Sequence, residues 1–133
     1  MKKNIFSVKN LVVVITGSGR GIGLELAIAF INNGAKVIRI DKNLKKIKKY
    51  QFQDFKLDLS NFNLTNKTLA KIKKKFKHID VLINNAGISI KSNQPYDQKI
   101  LHKTLSINLI AAYNLSNIVC KIMARRKKGS IIN

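Results

Sequence analysis

At 133 residues, with 45% apolar side chains, the chain can bury one core and is too short for two domains of ordinary size, so residues 1–133 are read as a single unit. Its 26 Lys and Arg against 6 Asp and Glu give a formal charge of +20. The excess is nearly all lysine spread from Lys2 to Lys128, with arginine only at 20, 39, 125 and 126; solvated helix faces explain that pattern better than a nucleic-acid surface, which favours arginine.

The first residues, Met1-Lys2-Lys3, imitate the start of a signal peptide, but Lys9 and Asn10 interrupt it and the apolar run Leu11 to Ile15 is too short. Val12 to Ile15 is β-branched throughout, the pattern of a strand buried on both faces of a parallel sheet. The turn Thr16 to Gly23 follows, then a helix over Ile22–Asn33 ended by Gly34. A second strand, Lys36 to Ile40, closes on Asp41. Asn43 to Tyr50 reads as a short Lys-rich helix or turn, and Phe52 to Leu57 as a third strand ending at Asp58. Leu69, Ile72 and Phe76 fall at i, i+3 and i+7 on a helix whose other face is lysine. Ile79 to Ile83 is a fourth strand that runs into Asn84-Asn85-Ala86-Gly87. After a loop with Pro95, one long helix covers about Asp97–Arg126, and Gly129 to Asn133 begins a fifth strand. In that helix Asn108, Asn114, Asn117 and Lys121 interrupt the apolar stretch, so no membrane span is expected and the expected location is cytoplasmic. Cys120 is alone, which excludes an internal disulfide.

Strands and helices alternate with short connections, which predicts an α/β fold: a Rossmann-type doubly wound parallel sheet of about five strands in the order 3-2-1-4-5. In that order the carboxyl ends of strands one and four lie side by side, at the switch point where ligands bind. Four stretches with unusual chemistry fall at strand ends: the glycine turn, Asp41, Asp58 and Asn84 to Gly87.

A helix N-terminus offers unpaired N–H groups and a positive dipole end, so a pyrophosphate fits where no Cβ blocks its approach. Gly17 would permit the tight turn, Gly21 the close approach and Gly23 the packing of helix on strand. The spacing is Gly-x-x-x-Gly-x-Gly; the commoner Gly-x-Gly-x-x-Gly fails because Ile22 stands where its third glycine belongs. At the end of the second strand, Asp41 is placed to accept both hydroxyls of an adenosine ribose and to repel the extra phosphate of NADP, which favours NAD; Arg20 and Lys42 pull toward NADP. A turn-forming role is the alternative for Asp41 and for Asp58, whose functional reading is a hydrogen bond to adenine.

Thr16-Gly17-x-x-x-Gly21-Ile22-Gly23, Asp41, Asp58-Leu59, Asp80-Val81-Leu82-Ile83-Asn84-Asn85-Ala86-Gly87 and Asn108 stand in an order and spacing that resembles the short-chain dehydrogenase/reductase family, from about Phe6 to Asn133. The resemblance implies a nicotinamide cofactor, NAD or NADP, and hydride transfer to or from a small-molecule carbonyl or alcohol. It implies phosphate contacts from Gly17, Ser18, Arg20 and Ile22, ribose contacts from Asp41, and adenine contacts from Asp58 and Leu59. Asn85, Ala86 and Gly87 would form the nucleotide wall, and Asn108 would hold a water in the proton relay. It also implies a homo-oligomer assembled through the long helix beginning near Asp97.

The family's catalytic Tyr, with a Lys four residues later, has no match: four residues after Tyr50, Tyr96 and Tyr113 stand Asp54, Ile100 and Asn117. A Tyr with its ordinary pKa near 10 is a poor base at neutral pH without such a cation. The family's catalytic Ser would follow the strand begun by Gly129-Ser130-Ile131-Ile132-Asn133, and Ser130 lies at the wrong end of it. The expectation is the cofactor-binding part of such an enzyme, truncated before its Ser, Tyr and Lys. The alternatives are a non-catalytic nucleotide-binding module and, less favoured, a basic nucleic-acid binder.

Overall fold

The computed structural model describes residues 6–91 and 97–133. The element order is β1 (Val12–Thr16), α1 (Gly21–Asn32), β2 (Lys36–Asp41), β3 (Gln53–Lys56), α2 (Phe62–Phe76), β4 (Val81–Ile83), a long helix and β5 (Ser130–Ile132). The five strands form one parallel sheet in the order β3-β2-β1-β4-β5, the order predicted.

Alternation along the strands fills a layer on each side. Val12, Val14, Ile38, Ile40 and Leu82 face a core that includes Leu69 and Ile72 of α2 and Leu115 and Val119 of the long helix. Val13, Ile15, Val37, Val81 and Ile83 face Ala27, Leu26 and Phe30 of α1. Both faces of β1 and β4 are therefore buried, which is why their sequences are continuous apolar runs rather than alternating ones.

Of the helix or turn expected over Asn43 to Tyr50, the structure has the turn, closed by the Tyr50 N–H on the Ile47 carbonyl; four lysines in eight residues repel one another, and so short a segment cannot repay helix nucleation. One element differs from expectation. The long helix is not uniform. It runs as α3 (Gln98–Leu105), a π-helical segment (Ser106–Ala111) and α4 (Ala112–Ala124), with Asp97 capping its start by accepting the Lys99 and Ile100 N–H groups. Pro95 and Tyr96 lie outside the described residues.

The membrane expectation also needs correction. Gln98–Ala124, 27 residues of mean hydropathy 1.3, is long and apolar enough to cross a membrane by length and composition, because its Asn residues are outweighed by Leu, Ile, Val and Ala. In this fold its Leu115, Val119, Ile122 and Met123 are buried against the sheet layer. Toward its start, Leu101, Leu105, Leu109 and Tyr113 recur every four residues and are exposed.

Candidate cofactor site

At the end of β1 the chain turns at Gly17, whose φ of +64° suits glycine and whose N–H donates to the Ile40 carbonyl at 2.9 Å. Ser18 is buried, its hydroxyl donating to the Ile15 carbonyl at 2.8 Å, so that hydroxyl braces the turn and does not face the site where the resemblance places a phosphate contact. The Gly19 N–H donates to Asp41 Oδ2 at 3.0 Å, tying the turn to the end of β2. A Cβ on Gly19 would stand 2.4 Å from the Asn43 carbonyl oxygen, which gives this residue a role the sequence reading did not assign.

The start of α1 fits an anion. Its N-cap, Arg20, makes no side-chain capping bond, so the first N–H groups of the helix have no side-chain acceptor. A Cβ placed on Gly21 would meet nothing within 4 Å, leaving open space beside those donors, whereas one on Gly23 would stand 2.4 Å from both the Gly17 carbonyl oxygen and Asn85 Nδ2. Ile22 and Arg20 are exposed at the same helix start.

The loop after β4 closes the other side. The Thr16 hydroxyl donates to the Ile83 carbonyl at 3.3 Å and accepts the Ala86 N–H at 3.1 Å, while Asn85 Nδ2 donates to the Thr16 and Gly17 carbonyls at 3.0 and 3.1 Å. Asn85 thus spends its amide donor on the glycine turn. Beside this junction lies a cleft of about 280 Å³ whose lining includes Gly17, Asp41, Asp58, Leu59, Ala86 and Gly87. Asn108, in the π-helical segment, accepts the Ile88 N–H at 2.8 Å and donates to the Ile88 carbonyl at 3.0 Å, pinning the cleft wall to the helix.

Asp58 Oδ1 accepts both the Ser60 N–H at 3.0 Å and the Ser60 hydroxyl at 2.7 Å. Those hydrogen bonds, with the charges of Lys42 and Lys103, hold its carboxyl below the usual carboxylate range. A carboxyl so lowered contributes stability above its unfolded pKa, and that contribution is lost as pH falls through the folded value. Asp58→Asn is therefore expected to be less stable than wild type at pH 7, by about 0.5 kcal/mol or less because solvent screens so exposed a group, and the gap should close in acid. Melting curves of both proteins from pH 7 to pH 3 check this; a gap that widens in acid would refute it.

A profile of the short chain dehydrogenase family matches residues 11–133. The chain belongs to the short-chain dehydrogenase/reductase family. Among curated relatives, it is 31% identical to a 3alpha-hydroxysteroid dehydrogenase of Mediterraneibacter gnavus over 94% of this chain and 55% of that one. It is 35% identical to a 3-oxoacyl-[acyl-carrier-protein] reductase of Buchnera aphidicola over 91% of this chain and 53% of that one. The crystal structure of a short chain dehydrogenase from Leptospira borgpetersenii with bound NAD+ shares the fold at a TM-score of 0.85 and 24% identity, over 98% of this chain and 53% of that one. A 4-hydroxyisoleucine dehydrogenase complexed with NADH matches at a TM-score of 0.82 and 27% identity, over 92% and 54%. The chain spans about half the length of the curated relatives it matches, and it carries the family's cofactor-binding region.

Of the residues that the short-chain dehydrogenase/reductase pattern singles out, Gly17, Asp41, Asp58, Leu59, Ala86 and Gly87 meet at one cleft, and Arg20, Gly21, Ile22 and Gly23 form the helix start beside it. Ser18, Asn85 and Asn108 engage backbone within the scaffold. Thr16, Gly19 and Lys103 were missed as parts of the site. The position of Thr16 in the family pattern was a signal for it; Gly19 and Lys103 depend on contacts made across the fold.

Proposed function

We propose that the chain is the cofactor-binding part of a short-chain dehydrogenase/reductase, an enzyme that oxidises or reduces a small-molecule alcohol or carbonyl, and that it binds NAD in preference to NADP. The observation that carries the preference is Asp41: its carboxylate lines the cleft, each oxygen is held by one backbone N–H, from Gly19 and from Asn43, and each keeps a lone pair for a ribose hydroxyl. A 2′-phosphate at the same place would face that negative charge. Gly21 and Ile22 would offer backbone N–H groups to the pyrophosphate and Arg20 its guanidinium, while Gly17, its N–H held by the Ile40 carbonyl, would shape the turn and Ser18 would brace it through its hydroxyl. Gly23 and Asn85 would hold the turn in shape, Asp58 and Leu59 would meet adenine, and Ala86 and Gly87 would wall the nucleotide.

When bound, the nicotinamide supplies or accepts the hydride. Asn108 would keep the cleft wall in place near the proton-relay position. The exposed stripe Leu101, Leu105, Leu109 and Tyr113 is the surface on which a second copy of the chain would dock, giving a homo-oligomer, and the protein would work in the cytoplasm.

Removing the Asp41 carboxylate tests the cofactor reading. Asp41→Ala is expected to weaken NAD binding about 10- to 100-fold, the worth of two charged hydrogen bonds, with little loss for NADP. Equilibrium titration with each nucleotide measures the ratio, and an unchanged ratio would refute the assignment.

A further inference from the structure

Arg39 stands in β2 where a strand buried on both faces calls for an apolar residue, and it is only 1% exposed among Val37, Ile38 and Ile40. Its guanidinium forks onto Asp54, the residue opposite it on β3: Nε donates to Oδ1 at 2.8 Å and Nη2 to Oδ2 at 2.6 Å. It also packs over the Phe52 ring, 4.3 Å from the centroid. Among the described residues Nη1 is buried with no partner, and the Asp54 side chain is 32% exposed. A buried cation with an orphaned donor and a half-solvated partner is a poor stabiliser, since an apolar side chain of similar volume serves a core as well or better.

The remaining contact gives the charge a purpose. Nη2 also donates to the Lys45 carbonyl at 3.0 Å, and among the described residues this is the hydrogen bond that ties residues 44–46 to the sheet. The same segment begins at Asp41: the Asn43 N–H donates to Asp41 Oδ1 at 2.8 Å, and the Asn43 carbonyl lies against Gly19. Residues 42–45 are thus held at one end by Asp41 and the glycine turn and at the other by Arg39.

The geometry points to Arg39 as a positioning residue for cofactor selectivity. Through the Lys45 carbonyl it fixes the turn after β2 in the shape that presents the Asp41 carboxylate to the ribose and keeps Lys42 from taking its place, which favours NAD over NADP. This rests on the reading of Asp41 proposed above. With the turn released, Asp41 can swing aside and Lys42 can approach a 2′-phosphate.

The test is equilibrium binding of NAD and NADP to wild type, Arg39→Met, Asp54→Asn, Asp41→Ala and the Arg39→Met/Asp41→Ala double variant. Arg39→Met is expected to lower the NAD-to-NADP affinity ratio roughly tenfold, with a smaller drop for Asp54→Asn, and to change nothing further once Asp41 is gone. An equal drop with and without Asp41 would overturn the inference, because an effect confined to packing does not require that carboxylate. If Arg39→Met does not fold, Asp54→Asn decides: its change is at an exposed edge, and a wild-type ratio there overturns the inference. A ratio lost in Asp41→Ala but kept in Arg39→Met overturns the role of Arg39 alone. Wild-type protein that binds neither nucleotide, or an Asp41→Ala ratio equal to wild type, overturns the ribose reading and this inference with it.

Discussion

Gly23→Ala is expected to destabilise the protein by about 2–4 kcal/mol and to abolish cofactor binding in whatever remains folded. In an ordinary helix interior, Gly to Ala gains about 1 kcal/mol of helix propensity. Here the added Cβ would lie 2.4 Å from the Gly17 carbonyl oxygen and from Asn85 Nδ2, and the first is backbone that cannot turn away. Relief requires either α1 to lift from the turn or the turn to open, and Asn85 then loses its hold on Thr16 and Gly17. Gly21→Ala separates fold from function: its Cβ meets nothing within 4 Å among the described residues, so the cost is the strain of a φ of +56°, about 1–2 kcal/mol, but the methyl occupies the space beside the α1 donors. Thermal melting of both variants distinguishes them. A Gly23→Ala protein that melts with wild type would show that the turn and helix are not packed as described.

Asp80→Ala should cost about 3 kcal/mol, at the end of the sheet away from the cleft. Asp80 is 6% exposed, and its carboxylate accepts the Val12 N–H at 2.9 Å and Arg126 Nη1 at 3.1 Å, with His78 Nε2 lying 3.2 Å from Oδ2. Its backbone N–H reaches the Val12 carbonyl and its carbonyl accepts the Ser130 N–H, each at 2.9 Å. One residue therefore joins β1, β4, β5 and the segment after α4. Without its carboxylate, the Val12 N–H is buried and unpaired, and Arg126 loses its acceptor. Urea denaturation at pH 7 measures the loss; a change below about 1 kcal/mol would mean that water replaces the carboxylate. NAD affinity of the folded fraction should stay at its wild-type value, because the clamp lies at the amino ends of the strands and the cleft at their carboxyl ends.

The parts legible in the sequence were those set by local pattern. Val12 to Ile15 and Val81 to Ile83 read as strands because burial on both faces leaves continuous apolar runs, and the alternation of strands with helices carried the sheet order with them. The turn at Gly17, the helix start at Gly21 and the place of Asp41 at the end of β2 were legible because a strand, a glycine turn and a helix in succession fix those positions by spacing. What stayed hidden depends on contacts between distant segments. Gly19 needs to be glycine because the Asn43 carbonyl and the Asp41 carboxylate pass beside it, and Asn85 turns its amide back onto the glycine turn. Arg39 breaks the apolar pattern of β2, and no local rule names Asp54, fifteen positions on, as its partner. The π-helical segment around Asn108 was invisible as well, because the apolar periodicity of the long helix continues through it.

Titration of the purified protein with NAD, followed by calorimetry alongside Gly21→Ala, most directly tests whether the glycine turn and Asp41 form a dinucleotide site. Saturable one-to-one binding to wild type, lost in a Gly21→Ala protein that still unfolds cooperatively, is the predicted result. Equal binding by both proteins, or no binding by folded wild type, would contradict it.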